Sequence, residues 1–341
     1  MSAVLHLHFP TDYMAILQKP KFAFFQGAVR PYEGAVIHVS SEAAFRGLNV
    51  FEGLKAYWQP DGSMGIVAVK RHFERLQRSA RLLHFPFDMT LEQFDNACHS
   101  LIEVLCVPDR EIWLRATLYM VEGHWGEDQV ADLVITGFTM PKGLPAPVTV
   151  GVSTWRRATD VVAPARIKTS TNYQVARMAK FEARSRGYGD MILLNNFDRV
   201  AEATVACVLM ARDGTVYTTP ASEGALESIT IDIVEALAEE QGIPFVRRPI
   251  DRSELYIADE VALVGTVTEV APVTAVDGFA CTGKSDLIDR LSQRYLTAVC
   301  GLVPHHSADL SRRLYPAQRA ASGAGRRGEG ATAPDRLVAH Q

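Results

Sequence analysis

The chain has 341 residues, 48% of them hydrophobic and 22% charged, a composition that excludes a disordered polymer, a collagen-like fibre and a coiled coil. Thirty-five Lys and Arg against 39 Asp and Glu leave a net charge of −4. No overall positive field therefore recruits nucleic acid or an anionic membrane, and the length suits two domains.

In chain order, KFAFFQGAVRPYEGAVIHVS and NVFEGLKAYWQPDGSMGIVAV read as antiparallel hairpins, the second turned at Pro60-Asp61-Gly62. Over 70–83 the period changes: Phe73, Leu76, Ala80 and Leu83 form a helical stripe, with Arg71, Arg75 and Arg78 on another face. A helix over 90–106 and strands EIWLRATLYMVE and DLVITGF complete a small α/β unit, residues 1–138. The Pro/Gly-rich stretch 139–147 reads as an interdomain linker.

The larger unit, 148–305, opens with strand VTVGVSTW, a loop through Lys168 and a helix over 172–186 ended by Gly187. Strand MILLNN, a hairpin turned at Asp213-Gly214, a helix over 229–241 and strand IPFVRRPI follow. A short helix near RSELYIAD, strand EVALVG and a helix over 285–300 complete it. Residues 306–341, rich in Gly, Ala and Arg, read as a disordered tail. The five scattered cysteines include no Cys-x-x-Cys pair, and no histidines cluster at ligand spacing, so no disulfide or metal site is expected. With no secretory leader and no apolar run approaching about 18 residues, a cytoplasmic protein is expected.

Gly278-Phe-Ala-Cys-Thr-Gly283-Lys284-Ser285 matches the P-loop pattern. Too little chain follows to supply the strands of a nucleotide fold, so we read a surface turn and keep nucleotide binding as the alternative of a different class. Lys168 stands in Pro164-Ala-Arg-Ile-Lys-Thr-Ser-Thr-Asn172, just before a helix start. A lysine in a semi-buried junction loop has the traits of an amine that bonds covalently to a carbonyl, though on spacing alone a solvated loop lysine is the better fit.

Five segments then occur in a familiar order: Phe51-Glu-Gly-Leu-Lys-Ala-Tyr57, Lys70-Arg71-His72-Phe-Glu-Arg-Leu, Ala201-Glu202-Ala-Thr204, Leu226-Glu-Ser-Ile229-Thr230 and Gly265-Thr266-Val-Thr-Glu269-Val-Ala-Pro272. Through them the chain resembles the fold-type IV pyridoxal-phosphate enzymes, especially branched-chain amino-acid aminotransferases, over about residues 20–303. The resemblance implies an α+β fold with a small α/β N-terminal domain and a larger β-barrel-like domain flanked by helices. It implies pyridoxal 5'-phosphate as cofactor, an amino acid and a 2-oxo acid as substrates, ping-pong amino transfer and a homodimer.

It also implies roles. Lys168 carries the cofactor and moves the proton, and Glu202 holds the pyridine nitrogen. Tyr173 faces the ring oxygen and Leu226 the ring face, while Arg71, Ile229, Thr230 and Thr266 bind the phosphate. Glu52 and Glu269 are structural acceptors. The substrate is implied to meet Arg46, Phe51, Trp113, Arg115 and Val267. Here the chain departs from the family, with Arg46 and Trp113 where tyrosines are expected, none in Met140-Pro-Lys142, and Val205-Ala-Cys207 in place of Gly-x-Asn. A branched-chain amino acid is the default substrate and one from a specialised pathway the alternative. A D-amino-acid or amine transaminase, or a lyase of the same fold, is the nearest competing reading.

Overall fold

The computed structural model describes residues 20–315. Strands β1 (Phe22–Phe25), β2 (Ala28–Pro31), β3 (Asn49–Trp58), β4 (Ser63–Val67), β5 (Arg110–Glu122) and β6 (Val130–Pro141) join the late strand β16 (Leu310–Leu314) in one sheet. Its order is β16-β4-β3-β5-β6-β1-β2, and every neighbouring pair is antiparallel. A short helix α1 (Glu42–Arg46) precedes β3, and helices α2 (Val69–Leu82) and α3 (Leu91–Leu105) cover one face of the sheet. Phe73, Leu76 and Ala80 from α2 and Phe94, Leu101 and Ile102 from α3 interdigitate there with Val50, Leu54, Ile112 and Leu114. The spacing of these residues along both helices is the i, i+3, i+4 pattern of a one-sided apolar face.

The second sheet contains β7 (Val148–Arg156), β8 (Asp190–Leu194), β9 (Val200–Ala203), β10 (Cys207–Arg212), β11 (Thr215–Thr218), β12 (Phe245–Arg247), β13 (Glu260–Gly265), β14 (Glu269–Val276) and β15 (Phe279–Ala280). It runs β12-β11-β10-β13-β14-β7-β8-β9, with β15 paired to β14. Ala203 N–H donates to Ala206 O at 2.7 Å, joining the end of β9 to the segment before β10 and curling the sheet into a half-barrel. Helices α4 (Tyr173–Arg186), α5 (Ile229–Glu240) and α6 (Leu287–Val299) flank it. The two units share a core in which Tyr57 and Val67 of the first sheet pack with Leu237 of α5 and Leu291 of α6. Their seam is therefore a fixed junction able to hold a site.

Strand β6 continues to Pro141, leaving 142–147 as the connecting segment. The larger correction concerns the tail. Residues 306–308 form a 3-10 turn, and β16 pairs Leu310 with Val67 and Leu314 with Ser63; the rest of the expected disordered tail lies outside the described residues. Composition misled here because β16 is held by polar groups: Ser311 Oγ donates to Asp95 at 2.7 Å, and Arg313 donates to Asp95 at 2.8 Å. Ending the chain at residue 309 is expected to lower the melting temperature by about 5 °C, since five ladder pairs and both anchors go. Calorimetry of the truncated chain checks this, and an unchanged melting temperature would show that β16 adds nothing.

No helix among the described residues is long and apolar enough to cross a membrane. No cluster of three or more His, Cys, Asp or Glu among them could hold a metal ion.

Candidate active site

Strand β3 is the spine of the site. Alternation sends Val50, Leu54 and Ala56 into the first sheet's core, whereas Phe51, Lys55 and Tyr57 contact the second unit. The loop after β7 is pinned onto this strand: Phe51 N–H donates to Lys168 O at 2.9 Å, and Lys168 N–H donates to Ser79 Oγ at 3.2 Å. Lys168 Nζ is thereby held at the seam, donating to Tyr173 Oη at 2.9 Å and lying 5.1 Å from the Phe51 ring centre.

A cavity opens beside that amine. Of the residues expected to hold a cofactor, Lys168, Tyr173, Glu202, Leu226, Ile229, Thr230 and Thr266 all line it. Glu202 accepts from Leu226 N–H at 2.9 Å and pairs with Arg157 at 3.3 Å. Burial raises its pKa, against the opposing pull of Arg157 and the Leu226 amide. Helix α5 starts at the cavity wall. Ser228 caps it, its Oγ accepting from Ile231 N–H at 3.2 Å, and the amides of Ile229 and Thr230 lie in the first turn, where the helix itself supplies no acceptor.

Arg71 is not among the lining residues. Its guanidinium donates to the Ser307 carbonyl, and the arginine on the cavity wall is Arg75. Arg75 donates to both oxygens of Glu52 at 2.7 Å and to Glu227 O at 2.6 Å, which leaves two of its five donors free. Burial opposes its charge, but Glu52 more than compensates and raises its pKa. In return, despite burial, Arg75 and His72 hold the Glu52 carboxyl down at about 2. Arg75 lies three residues after His72 and four before Ser79, and all three are buried along the flank of the apolar stripe of α2. Arg157, Cys207 and Ser228 were also missed. Cys207 and Ser228 sit inside or beside quoted motifs, whereas nothing local marks Arg157.

The expected substrate residues divide. Arg115 lies over the Phe51 ring at 4.1 Å and donates weakly to Ser170 Oγ at 3.4 Å. Burial lowers its pKa, and no carboxylate is paired with it among the described residues. Trp113, on the same face of β5, stacks on Phe138 with ring centres 5.5 Å apart. Its buried Nε1–H has no acceptor among the described residues. Gly53, cross-strand partner of Arg115, makes room for the indole: a Cβ there would sit 3.2 Å from Nε1. Val267 is 38% exposed on the turn after β13. Arg46 stands apart, tied to Glu42 at 2.6 Å and lying 4.8 Å from the Trp125 ring centre.

The P-loop match makes no phosphate cradle. Gly278 turns β14 into β15, and Ile288 and Asp289 N–H, at the start of α6, donate to the Glu260 carboxylate at 3.2 and 3.4 Å. Ser285 donates to the same carboxylate. A negative side chain thus occupies the place where a phosphate would have to bind.

The family model for class IV amino-transferases matches residues 49–276. A probable branched-chain-amino-acid aminotransferase of Synechocystis is 33% identical over 285 residues, covering 81% of this chain and 92% of that protein. The branched-chain-amino-acid aminotransferase of Escherichia coli is 29% identical over 270 residues, covering 76% and 86%. Among solved structures, a branched-chain aminotransferase of Thermobaculum terrenum in its pyridoxal-phosphate form has a TM-score of 0.79 at 28% identity, covering 86% of this chain and 98% of that one. One from Thermoproteus uzoniensis with norvaline has the same TM-score and identity.

Proposed function

The chain belongs to the class IV aminotransferases, which depend on pyridoxal 5'-phosphate, and from that premise we propose that Lys168 is the residue on which its amino transfer turns. The observation that carries this is the Lys168 amine, 2.9 Å from Tyr173 Oη on the wall of a cavity that also holds Glu202 and the start of α5. The donor set suits the cofactor: an amine for its carbonyl, a half-buried carboxylate for its protonated ring nitrogen, and a helix start, Thr266 and Arg75 for its phosphate. When bound, the cofactor supplies the electron-withdrawing ring that makes the substrate's α-proton labile.

With the cofactor bound, Lys168 Nζ would be the base that accepts the substrate's α-proton and returns it two bonds away, across the substrate nitrogen. Tyr173 Oη, its hydrogen-bond partner, orients the amine. Glu202, shielded from water and braced by Arg157, keeps the ring-nitrogen proton in place. Two half-reactions in one cavity give ping-pong kinetics. Phe45 and Trp125, 74% and 81% exposed on either side of Arg46, support a homodimer that covers them.

The relatives named above are branched-chain enzymes, but Trp113 and Arg115 favour an amino acid with an acceptor on its side chain. A buried N–H without a partner is costly, and a substrate oxygen would satisfy it. The test is a spectrum of the purified protein followed by an amino-donor screen. We expect visible cofactor absorbance, amino transfer, and a glutamate-to-leucine ratio of specificity constants that falls about tenfold in Trp113→Phe, which removes the N–H along with one ring of the indole but keeps an aromatic ring against Phe138. An unchanged ratio returns the assignment to branched-chain substrates; a colourless, inactive protein sinks the Lys168 reading itself.

A further inference from the structure

The turn between β13 and β14 brings Thr266 to the cavity on an unusual backbone. Gly265 pairs with Glu269 across it, and Glu269 takes a left-handed φ of 54°. Glycine is the usual occupant of that backbone conformation. A glutamate persists because its side chain is gripped: at 3% exposure, its Oε1 accepts from Lys55 Nζ at 2.7 Å and from Tyr57 Oη at 2.6 Å. Both donors belong to β3 in the other sheet, and Lys55 is braced by Glu111 of β5 at 2.7 Å. The chain of contacts continues to α5 by packing, because Tyr57 shares a buried cluster with Tyr295 of α6 and Ile229 in the first turn of α5. The turn carrying Thr266 and the first turn of α5 are thus tied to one buried group that itself lines no part of the cavity.

We propose that Glu269 is a positioning residue: clamped on Lys55 and Tyr57, it holds Thr266 and Thr230 in the arrangement a phosphate dianion needs, and so sets the affinity for the cofactor's phosphate. This rests on reading those segments as the phosphate cradle. A residue that merely supported the fold would affect binding of the whole cofactor; a positioning residue acts on the phosphate alone. Pyridoxal, which lacks the phosphate, separates the two roles.

The full-length chain, freed of cofactor, is titrated with pyridoxal phosphate and with pyridoxal, following absorbance. The unaltered protein should bind the phosphorylated form far more tightly; if it does not, the cradle reading fails before the clamp is tested. Glu269→Gly relieves the backbone while removing the clamp. It should raise the Kd for pyridoxal phosphate about tenfold, the equivalent of one lost hydrogen bond, and leave that for pyridoxal unchanged. Tyr57→Phe should shift the same ratio in the same direction by about threefold. Equal weakening of both ligands in Glu269→Gly, or no weakening of either, overturns the proposal. Should Glu269→Gly fail to fold, an unchanged ratio in Tyr57→Phe overturns it alone.

Discussion

Replacing Lys168 with alanine is expected to strip the protein of its visible absorbance on dialysis and to cut amino transfer by a factor on the order of 1,000 or more. Covalent anchor and proton carrier are the same atom in our reading, so both are lost together. The fold should be indifferent, because the Lys168 contacts that pin the loop are backbone ones, to Ser79 and Phe51, and alanine keeps them. Absorbance before and after dialysis, single-turnover assays and a melting curve check the three parts separately. A variant that stays yellow and active would remove Lys168 from the chemistry.

Arg75→Leu should be nearly as damaging, for a different reason. It leaves the fully buried Glu52 with His72 as its remaining hydrogen-bond partner, and breaking a buried ion pair in this way costs about 3–5 kcal/mol. It also removes the guanidinium from the cavity, so cofactor affinity should fall with stability. Arg71→Leu, on a partly exposed side chain that meets one carbonyl, should change stability by less than about 1 kcal/mol. The acid limb of stability gives a further readout. Glu52 has its folded pKa depressed to about 2 from 4.5, so its contribution is complete above pH 4.5 and disappears as pH falls toward 2. In Arg75→Leu that depression shrinks, and acid unfolding should begin at higher pH. Urea titrations at several pH values decide it; if Arg71→Leu proves the more harmful, the phosphate arginine has been misassigned.

The contrast between those two arginines explains what sequence could convey. Lys168, Tyr173, Glu202, Leu226, Ile229, Thr230 and Thr266 were each readable because they sit in short contiguous segments whose order survives folding. They converge on one cavity without any long-range information being needed. Arg75 was not readable as a buried cation, because its burial is licensed by Glu52, a residue on another element. Arg157 is hidden for the same reason, its purpose being a carboxylate far along the chain. Arg46 is a different case. Glu42 lies four residues earlier on the same short helix, so its side-chain partner was predictable from i, i+4 spacing alone.

Strand order in the first sheet has a consequence for how the protein is made. Strand β4 is complete early in synthesis, yet the partner on its outer edge, β16, lies near the end of the described chain. Until that segment leaves the ribosome, β4 presents a bare row of backbone donors and acceptors next to an unfinished site, the condition under which edges capture foreign strands. Completion of the sheet is thus a late, long-range closure that couples maturation of the first unit to synthesis of nearly the whole second one. Chains stalled before residue 310 should therefore capture foreign strands more readily than finished ones, although a chain ended there still folds with a lowered melting temperature.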